Sequence, residues 1–298
     1  MAYTMCILFI LTDDTLLRSD MPGIQRRYNE LRRRRNMHML YPGLVSKTFQ
    51  HKSIEEVLRL CQKAGLKGIE WSENAHISAD DPDAALALRQ KTEAAGIHVA
   101  GYGSYFRLGT EETPAEAFAR SLCTAEALGA PYIRIWAGRK PSAEVSTDER
   151  KRLTEEARMV TEMASAKGII TALEWHRNTL TDTNASAMRL LDETDHTDLR
   201  CLWQPTCALS VEERCEGIDL LEARGILMNL HVYYWPQQNL RRPLREGMDY
   251  WQTYLRHVHT DEDRYALLEF VMDDSEEQFL EDAEILQKLI HHRETAGI

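Results

Sequence analysis

The sequence predicts a closed (β/α)8 TIM barrel, with eight parallel strands and an N-terminal extension, and three observations support this prediction. Strand-like and helix-like segments alternate eight times between residues 38 and 290. The 298-residue chain is long enough for such a barrel, which needs roughly 250 residues. Its residues are 43% hydrophobic and 28% charged, so the chain can bury a large core.

The strand-like segments are the first half of each repeating unit. In chain order they are His38–Val45, Lys67–Ser72, Ile97–Tyr102, Tyr132–Ala137, Ile169–His176, Leu199–Gln204, Ile226–Tyr233 and Tyr265–Val271. Parallel strands need right-handed crossovers, and eight such units close into a barrel without open edges. A doubly wound open sheet is the alternative. It is disfavoured because Tyr41-Pro42-Gly43, at the first strand, lacks the glycine spacing of a phosphate-binding turn.

The helix-like segments lie between the strands. They are Ile54–Ala64, Asp83–Ala95, Pro114–Leu128, Asp148–Ala166, Ala185–Glu193, Val211–Glu222, Met248–His257 and Glu276–Ile290. Ser53 precedes the first one as an N-cap, with Glu56 three residues further on. Glycines follow five of them where a left-handed C-cap is expected, namely Gly65, Gly96, Gly129, Gly168 and Gly225.

Charge and composition exclude several classes of protein. Lys and Arg total 36 against 47 Asp and Glu, and a net charge of −11 disfavours nucleic acid as a partner. The apolar stretch Met5–Leu11 is too short for a membrane span or a secretory signal, so we expect a cytoplasmic protein without a membrane partner. Six cysteines without a CxxC pair indicate reduced thiols. Residues 1–36, with the run Arg32–Arg35, are interpreted as a solvated extension that can be disordered, and residues 37–298 as the barrel.

Four polar residues fall late in consecutive predicted strands. They are Glu174, Gln204, His231 and Glu269, on strands five to eight. The successive separations of 30, 27 and 38 residues are each close to one barrel unit of roughly 31 residues. Because the carboxyl ends of barrel strands meet at one face, we expect these side chains to lie together there.

A divalent cation is the predicted companion of this set. Glu174 and Glu269 lie among large apolar residues, where an uncompensated carboxylate is costly. Two carboxylates, one imidazole and one amide carry a formal charge of −2, which suits one Mn²⁺ ion, with Mg²⁺, Co²⁺ or Zn²⁺ as alternatives. The competing interpretation is that these residues pair with one another or with buried arginines. Glu70 and Arg134, inside strands two and four, are predicted to form a buried ion pair.

Further residues are candidates for substrate binding. His176 lies two residues after Glu174, so strand alternation points it to the same inward face. Trp136 closes strand four and can form an aromatic wall beside a sugar. Arg241 and Arg242 lie in the long loop after strand seven, where barrels often bind anions. A rim histidine and a solvated loop are the respective alternatives.

At these residues the sequence resembles the sugar phosphate isomerase/epimerase superfamily of xylose isomerase-like TIM barrels. The resemblance is carried by residues 133–138, 173–183 and 267–271. In that superfamily Glu, Asp, His and Glu of strands five to eight hold a divalent metal, and the two glutamates act as acid and base. The resemblance therefore implies that Glu174, His231 and Glu269 are metal ligands. Strand six departs from the usual Asp-x-x-His, since Gln204 and Cys207 stand there, which implies weaker metal binding and leaves the substrate open.

The predicted activity is metal-dependent isomerisation or epimerisation of a sugar or sugar phosphate. Proton abstraction next to a carbonyl gives an enediolate, and Glu174 and Glu269 are the proposed acid/base pair. The alternatives are a polyol or inosose dehydratase and a non-catalytic sugar-binding barrel. A DNA-repair endonuclease of the same fold is disfavoured by the departure at Gln204 and by the net charge of −11. The expected partners are a small carbohydrate and a second copy of the chain.

Overall fold

The computed structural model describes residues 39–259 and 262–296 and shows the predicted closed barrel. All eight strands are parallel, and each pairs with its sequence neighbours, β1 closing onto β8. The strands are β1 Leu40–Val45, β2 Gly68–Ser72, β3 His98–Arg107, β4 Tyr132–Trp136, β5 Ile170–Glu174, β6 Leu199–Trp203, β7 Leu227–Val232 and β8 Arg264–Leu268. The fold class is therefore confirmed.

Eight helices alternate with the strands in the described part of the chain. They are α1 Ile54–Lys63, α2 Pro82–Ala94, α3 Pro114–Leu128, α4 Thr147–Ser165, α5 Asn184–Thr194, α6 Val211–Ala223, α7 Met248–His257 and α8 Glu276–Ala296. Ser53 and Glu56 form the predicted reciprocal capping box at α1. The five predicted capping glycines all have positive φ, between 64° and 71°. Local capping chemistry therefore fixes the boundaries that the sequence indicated.

Two strands end three or more residues away from the predicted end, while the other six end within two residues of it. β3 continues to Arg107 rather than ending at Tyr102, because its register against β4 shifts after Gly103 and Arg107 then pairs with Trp136. β8 ends at Leu268 rather than Val271, because Phe270 turns the chain with a φ of 52°. Both differences lie at the carboxyl ends of strands, where the candidate residues are.

The barrel interior is filled by large side chains opposite glycines. A Cβ on Gly101 would lie 2.1 Å from the Tyr132 ring, and a Cβ on Gly68 would lie 2.3 Å from the Tyr265 ring. Tyr132 is fully buried, and its hydroxyl donates a 2.6 Å hydrogen bond to Glu70 Oε2. The missing side chains on one strand therefore make room for an aromatic ring that supports the polar layer above it.

The apolar core lies between the strands and the surrounding helices. Its largest fully buried members include four tryptophans, Trp71, Trp175, Trp203 and Trp251. Alternation along β2 turns Glu70 into the barrel and Trp71 outward, where its indole donates to Thr92 of α2 at 3.1 Å. Period-two alternation thus separates the polar interior at the strand ends from the apolar layer outside it.

Some sequence predictions lie outside the described residues. These are the N-terminal extension, residues 1–36, and His38 at the start of the first predicted strand. Among the described helices, none combines the length and the apolar character that a membrane crossing requires.

We expect Gly101→Ala to destabilise the barrel. The added methyl would collide with the buried Tyr132 ring, and overpacking of this kind costs about 1–3 kcal/mol. Urea unfolding followed by circular dichroism measures the loss. The same substitution in a Tyr132→Leu background should cost less, since the ring is gone, and an equal penalty in both backgrounds would contradict the packing argument.

Candidate functional site

A cavity of about 380 Å³ opens at the carboxyl ends of the strands. Most predicted site residues line it, namely Trp136, Glu174, His176, Gln204, Arg241 and Glu269. His231 lies fully buried among them, in contact with Glu269. Arg242 does not line the cavity; it is paired with Glu246, its guanidinium 2.9 Å from both carboxylate oxygens. The barrel therefore brings the four predicted strand-end residues to one place.

Arg134 lies at the centre of the polar layer beneath the cavity. Its Nε donates to Glu70 Oε1 at 3.0 Å, which confirms the predicted buried ion pair. Its Nη1 also donates to Glu174 Oε2, which is the pairing with a buried arginine that the competing interpretation of the sequence allowed. Burial opposes the positive charge, but the carboxylates of Glu174 and Glu70 outweigh it and raise the pKa of Arg134. The guanidinium thus neutralises two strands' carboxylates at once.

The close approach of Arg134 and Glu70 depends on a glycine in β3. A Cβ on Gly103 would lie 2.6 Å from both Arg134 Nη2 and Glu70 Oε1. Any side chain at this position would therefore push the two charged groups apart. The ion pair therefore requires glycine, which has no side chain, at this position of β3.

Glu174 is held as an anion by three donors. Its Oε2 accepts from Arg134 and from the indole of Trp136, and its Oε1 accepts from the Gln204 amide nitrogen at 2.8 Å. Burial disfavours the charged form, but Arg134, then the neighbouring histidines, hold the pKa of Glu174 at about 2. Glu174 therefore stays ionised and is a weak proton acceptor.

His231 links Glu70 to Glu269. Its Nε2 lies 3.3 Å from Glu70 Oε2, and its Nδ1 lies 3.4 Å from Glu269 Oε2. Burial disfavours the imidazolium, but Glu269 and Glu70 outweigh it and raise the pKa of His231 to about 10. A continuous polar network therefore runs through the strand ends, from Gln204 through Glu174, Arg134, Glu70 and His231 to Glu269.

The donor set fits a divalent cation at His231 and Glu269 once the cation displaces the Nδ1 proton of the imidazolium and takes the place of its positive charge. Nδ1 of the former and Oε2 of the latter are buried and, within the described residues, lack hydrogen-bond partners. Their 3.4 Å separation matches two ligands of one ion, which lie within about 4 Å of each other. Glu70 lies against the other ring nitrogen, as second-layer carboxylates of metal-binding histidines do.

The other two predicted ligands are engaged elsewhere in this conformation. Gln204 turns its amide nitrogen toward Glu174 and the Trp175 carbonyl, so a donor rather than an oxygen ligand faces the carboxylate. Within residues 39–259 and 262–296, no group of three or more His, Cys, Asp or Glu side chains is arranged to hold a metal. In this conformation the Glu174 carboxylate is therefore bound by Arg134 and Gln204.

Threonines in the loop after β5 hold the end of that strand in place. Thr181 Oγ1 donates to the Glu174 carbonyl at 2.6 Å, and Thr179 Oγ1 donates to the His176 carbonyl at 2.6 Å. The Leu180 amide donates to the Ala137 carbonyl at 2.9 Å, which ties the loop to the end of β4. This is the local structure of the segment 173–183, and it keeps Glu174 and His176 at the cavity.

Aromatic rings form the cavity walls. Trp136 contacts His176 on one side, with ring centroids 5.9 Å apart, and Tyr105 on another, at 5.4 Å. On the opposite wall Trp235 packs against Phe270, at 5.1 Å. The predicted aromatic wall at Trp136 is therefore present.

Sequence reasoning missed Lys47, Tyr105 and Arg107, which also line the cavity. Lys47 follows β1 directly, so the rule applied to strands five to eight would have found it there. Tyr105 and Arg107 were missed because β3 ends five residues later than predicted. Arg241 is at the cavity but pairs with Asp274 at 2.6 Å.

A closed (β/α)8 barrel with a buried polar network under a cavity at its carboxyl face is the architecture of a TIM-barrel enzyme family. The family model described as "Xylose isomerase-like TIM barrel" matches residues 58–289, and the chain belongs to this family.

One similar curated protein is a 3-dehydroshikimate dehydratase of Bacillus anthracis. It is 43% identical to this chain over 68 residues, which are 23% of this chain and 24% of the relative. The match therefore spans about a quarter of that protein's length.

Solved structures share the fold at low identity. The probable 3-DHS dehydratase AsbF from Bacillus anthracis superposes with a TM-score of 0.70 and 18% identity, over 83% of this chain and 99% of its own. An L-ribulose 3-epimerase superposes with a TM-score of 0.66 and 14% identity, over 87% of this chain and 97% of its own. The IOLI protein, solved with a zinc atom, superposes with a TM-score of 0.67 and 13% identity, over 85% of this chain and 99% of its own. These likenesses establish the fold.

We expect Arg134→Met to destabilise the protein strongly. It leaves Glu70 and Glu174 buried without their counter-charge, and breaking a buried pair in this way costs about 3–5 kcal/mol. Chemical denaturation at pH 7 measures the loss. Arg189→Gln removes an exposed arginine paired with Glu193 and should cost at most about 0.5 kcal/mol. Equal losses for the two variants would mean that the buried network does not stabilise the fold.

Proposed function

We propose that this protein is an isomerase or epimerase that abstracts a proton next to the carbonyl of a small polyhydroxylated substrate. The observation that carries the proposal is the pair Glu174 and Glu269, each only 4% exposed, on the floor of one cavity. The sequence predicts the two as an acid/base pair; we now assign removal of the proton from carbon, and its return to the enediolate, to Glu269, with Glu174 as a fixed negative charge beside it.

Glu269 is the stronger candidate for the base. Its Oε2 has no hydrogen-bond donor among the described residues, whereas both oxygens of Glu174 accept hydrogen bonds. A carboxylate oxygen without donors accepts a proton more readily than one held by a guanidinium. Glu174, with its pKa at about 2, keeps a fixed negative charge and orients Arg134 and Trp136 at the cavity floor.

His231 is placed to support Glu269. Its Nδ1 lies 3.4 Å from the Glu269 carboxylate, and its other nitrogen faces Glu70. The ring is therefore fixed in orientation by two carboxylates, and it holds Glu269 Oε2 at the cavity. We further propose that one divalent cation, Mn²⁺, is bound by His231, Glu269, Glu174 and Gln204. When bound, this ion supplies Lewis-acid stabilisation of the negative oxygen that develops on the substrate.

Dehydration is the second candidate. It begins with the same proton abstraction but then expels a hydroxyl group as water, so it uses the same base. The 43% identity to a dehydratase over 68 residues favours it. In isomerisation a proton returns to carbon, whereas in dehydration the hydroxyl group takes up a proton and leaves as water. Reprotonation at carbon, and therefore exchange with solvent, is required only of the first candidate.

We expect the protein to exchange a substrate proton for deuterium next to the carbonyl. Ketoses, inososes and 3-dehydroshikimate are incubated with the Mn²⁺-supplemented protein in D₂O and followed by NMR. Glu269→Gln should reduce the exchange rate by about 10² to 10⁴, the usual contribution of a general base. Glu126→Gln, which removes an exposed carboxylate on α3, is the control and should exchange at the wild-type rate. Full exchange by Glu269→Gln would overturn the assignment of the base.

We expect Gln204→Glu to tighten Mn²⁺ binding by at least about tenfold, because an added ligand charge strengthens hard-cation sites. The new carboxylate would face Glu174 where the amide nitrogen now lies 2.8 Å from it, so only a cation relieves the repulsion. Calorimetric titration and the rise in Tm with Mn²⁺ measure the effect.

The matched control for this variant is Gln287→Glu, which makes the same charge change on α8, where Gln287 contacts the Ala64 carbonyl. Its Mn²⁺ affinity should equal that of the wild type. Unchanged affinity in Gln204→Glu would contradict the cation site, while proton exchange without added metal would still support the role of Glu269.

A further inference from the structure

Three cationic side chains at the cavity mouth lack carboxylate partners. They are Lys47 after β1, Arg107 at the end of β3 and Arg177 after β5, and all line the cavity. Across the described ranges 39–259 and 262–296, none forms a salt bridge with Asp or Glu. Among the described residues that line the cavity, the acidic ones are Glu174 and Glu269 on the floor. The mouth is therefore positive and the floor is rich in carboxylates.

Aromatic rings hold two of these cations without neutralising them. The Arg107 guanidinium lies 3.4 Å from the centroid of the Trp136 ring, and Lys47 Nζ lies 5.3 Å from that of Tyr105. The two rings contact each other edge to face at 5.4 Å. Cation–π contacts attract the cation to the ring face but supply no counter-charge. Lys47 and Arg107 are thus fixed along one wall with their charge available.

Partial burial makes the charge of Arg107 costly. Burial and the nearby Arg139 lower the pKa of Arg107 more than the Glu174 carboxylate raises it, so a further anion beside the guanidinium would stabilise its charge. Arg177 adds a third charge from the loop after β5, beside the neutral amide of Gln238. The remaining cavity arginines differ, since Arg134 is committed to two glutamates and Arg241 to Asp274.

We propose that Lys47, Arg107 and Arg177 bind an anionic group of the substrate, a carboxylate or a phosphate, at the cavity mouth. This rests on the proposed function for the identity of the reacting end. The floor cations Arg134 and His231 already face carboxylates, whereas the three cations of the mouth do not, so an anionic group is drawn to the mouth and orients the substrate. The uncharged carbonyl end then lies against Glu269, and neutral sugars lose this orientation.

Binding of non-reacting probes tests the subsite separately from turnover. Calorimetric titrations use D-glucitol, D-gluconate, D-glucitol 6-phosphate and inorganic phosphate. We expect at least one anionic probe to bind about tenfold or more tightly than glucitol, because charge-assisted hydrogen bonds to Arg and Lys are stronger than neutral ones. Preference for gluconate assigns a carboxylate substrate, and preference for the phosphates assigns a phosphorylated one.

Variants locate the binding to these residues. Arg107→Gln and Lys47→Gln should each lower the affinity for the anionic probe by about tenfold and leave the affinity for glucitol unchanged. Arg189→Gln removes one exposed positive charge on α5 and should leave the affinities for the anionic probe and for glucitol unchanged. The subsite is overturned if no anion binds better than glucitol, or if Arg107→Gln and Lys47→Gln keep wild-type anion affinity. Deuterium exchange by the wild type would be unaffected by that result, so the two proposals fail separately.

Discussion

A single guanidinium, that of Arg134, holds the polar interior of this barrel together. It is buried and contacts carboxylates from β2 and β5, while a third carboxylate, Glu269, adds to the field that stabilises its charge. Carboxylates this deeply buried are tolerated only when they are paired and hydrogen-bonded. The arginine therefore makes it possible for several strands to end in charged side chains beneath one cavity.

The same arrangement gives the cavity two ends of opposite character. On the floor, Glu174 is fixed by donors, whereas Glu269 keeps an oxygen without one, so similar residues acquire different chemistry. At the mouth, Lys47 and Arg107 contact the faces of aromatic rings and form no salt bridge with a carboxylate among the described residues. A polyhydroxylated carbonyl compound with an anionic tail matches this polarity, since each end of the molecule meets the group that stabilises it.

Gln204, which stands at strand six in place of the aspartate of the family pattern, changes the hydrogen bonding of the site as well as its charge. Gln204 removes the negative charge that the family usually has there, but its amide nitrogen donates to Glu174 and to the Trp175 carbonyl. The amide thus closes a network that an aspartate would leave with two facing anions. The competing interpretation from the sequence was pairing with one another or with a buried arginine. It holds for Glu174, which pairs with Arg134 and Gln204, and for His231, which faces Glu269 at 3.4 Å, where the two facing atoms also fit a cation.

Local sequence determined the barrel, its caps and the strand positions of the candidate residues, because alternation, glycine caps and unit length are properties of neighbouring residues. The spacing of Glu174, Gln204, His231 and Glu269 also predicted that they meet, since strand ends of a closed barrel share one face. Which partner each side chain takes was decided only by the tertiary structure. Arg134 reaches Glu174 as well as Glu70, and the longer β3 brings Arg107 onto Trp136. Such contacts depend on register shifts and on the space left by Gly103, which arise from strands far apart in the chain.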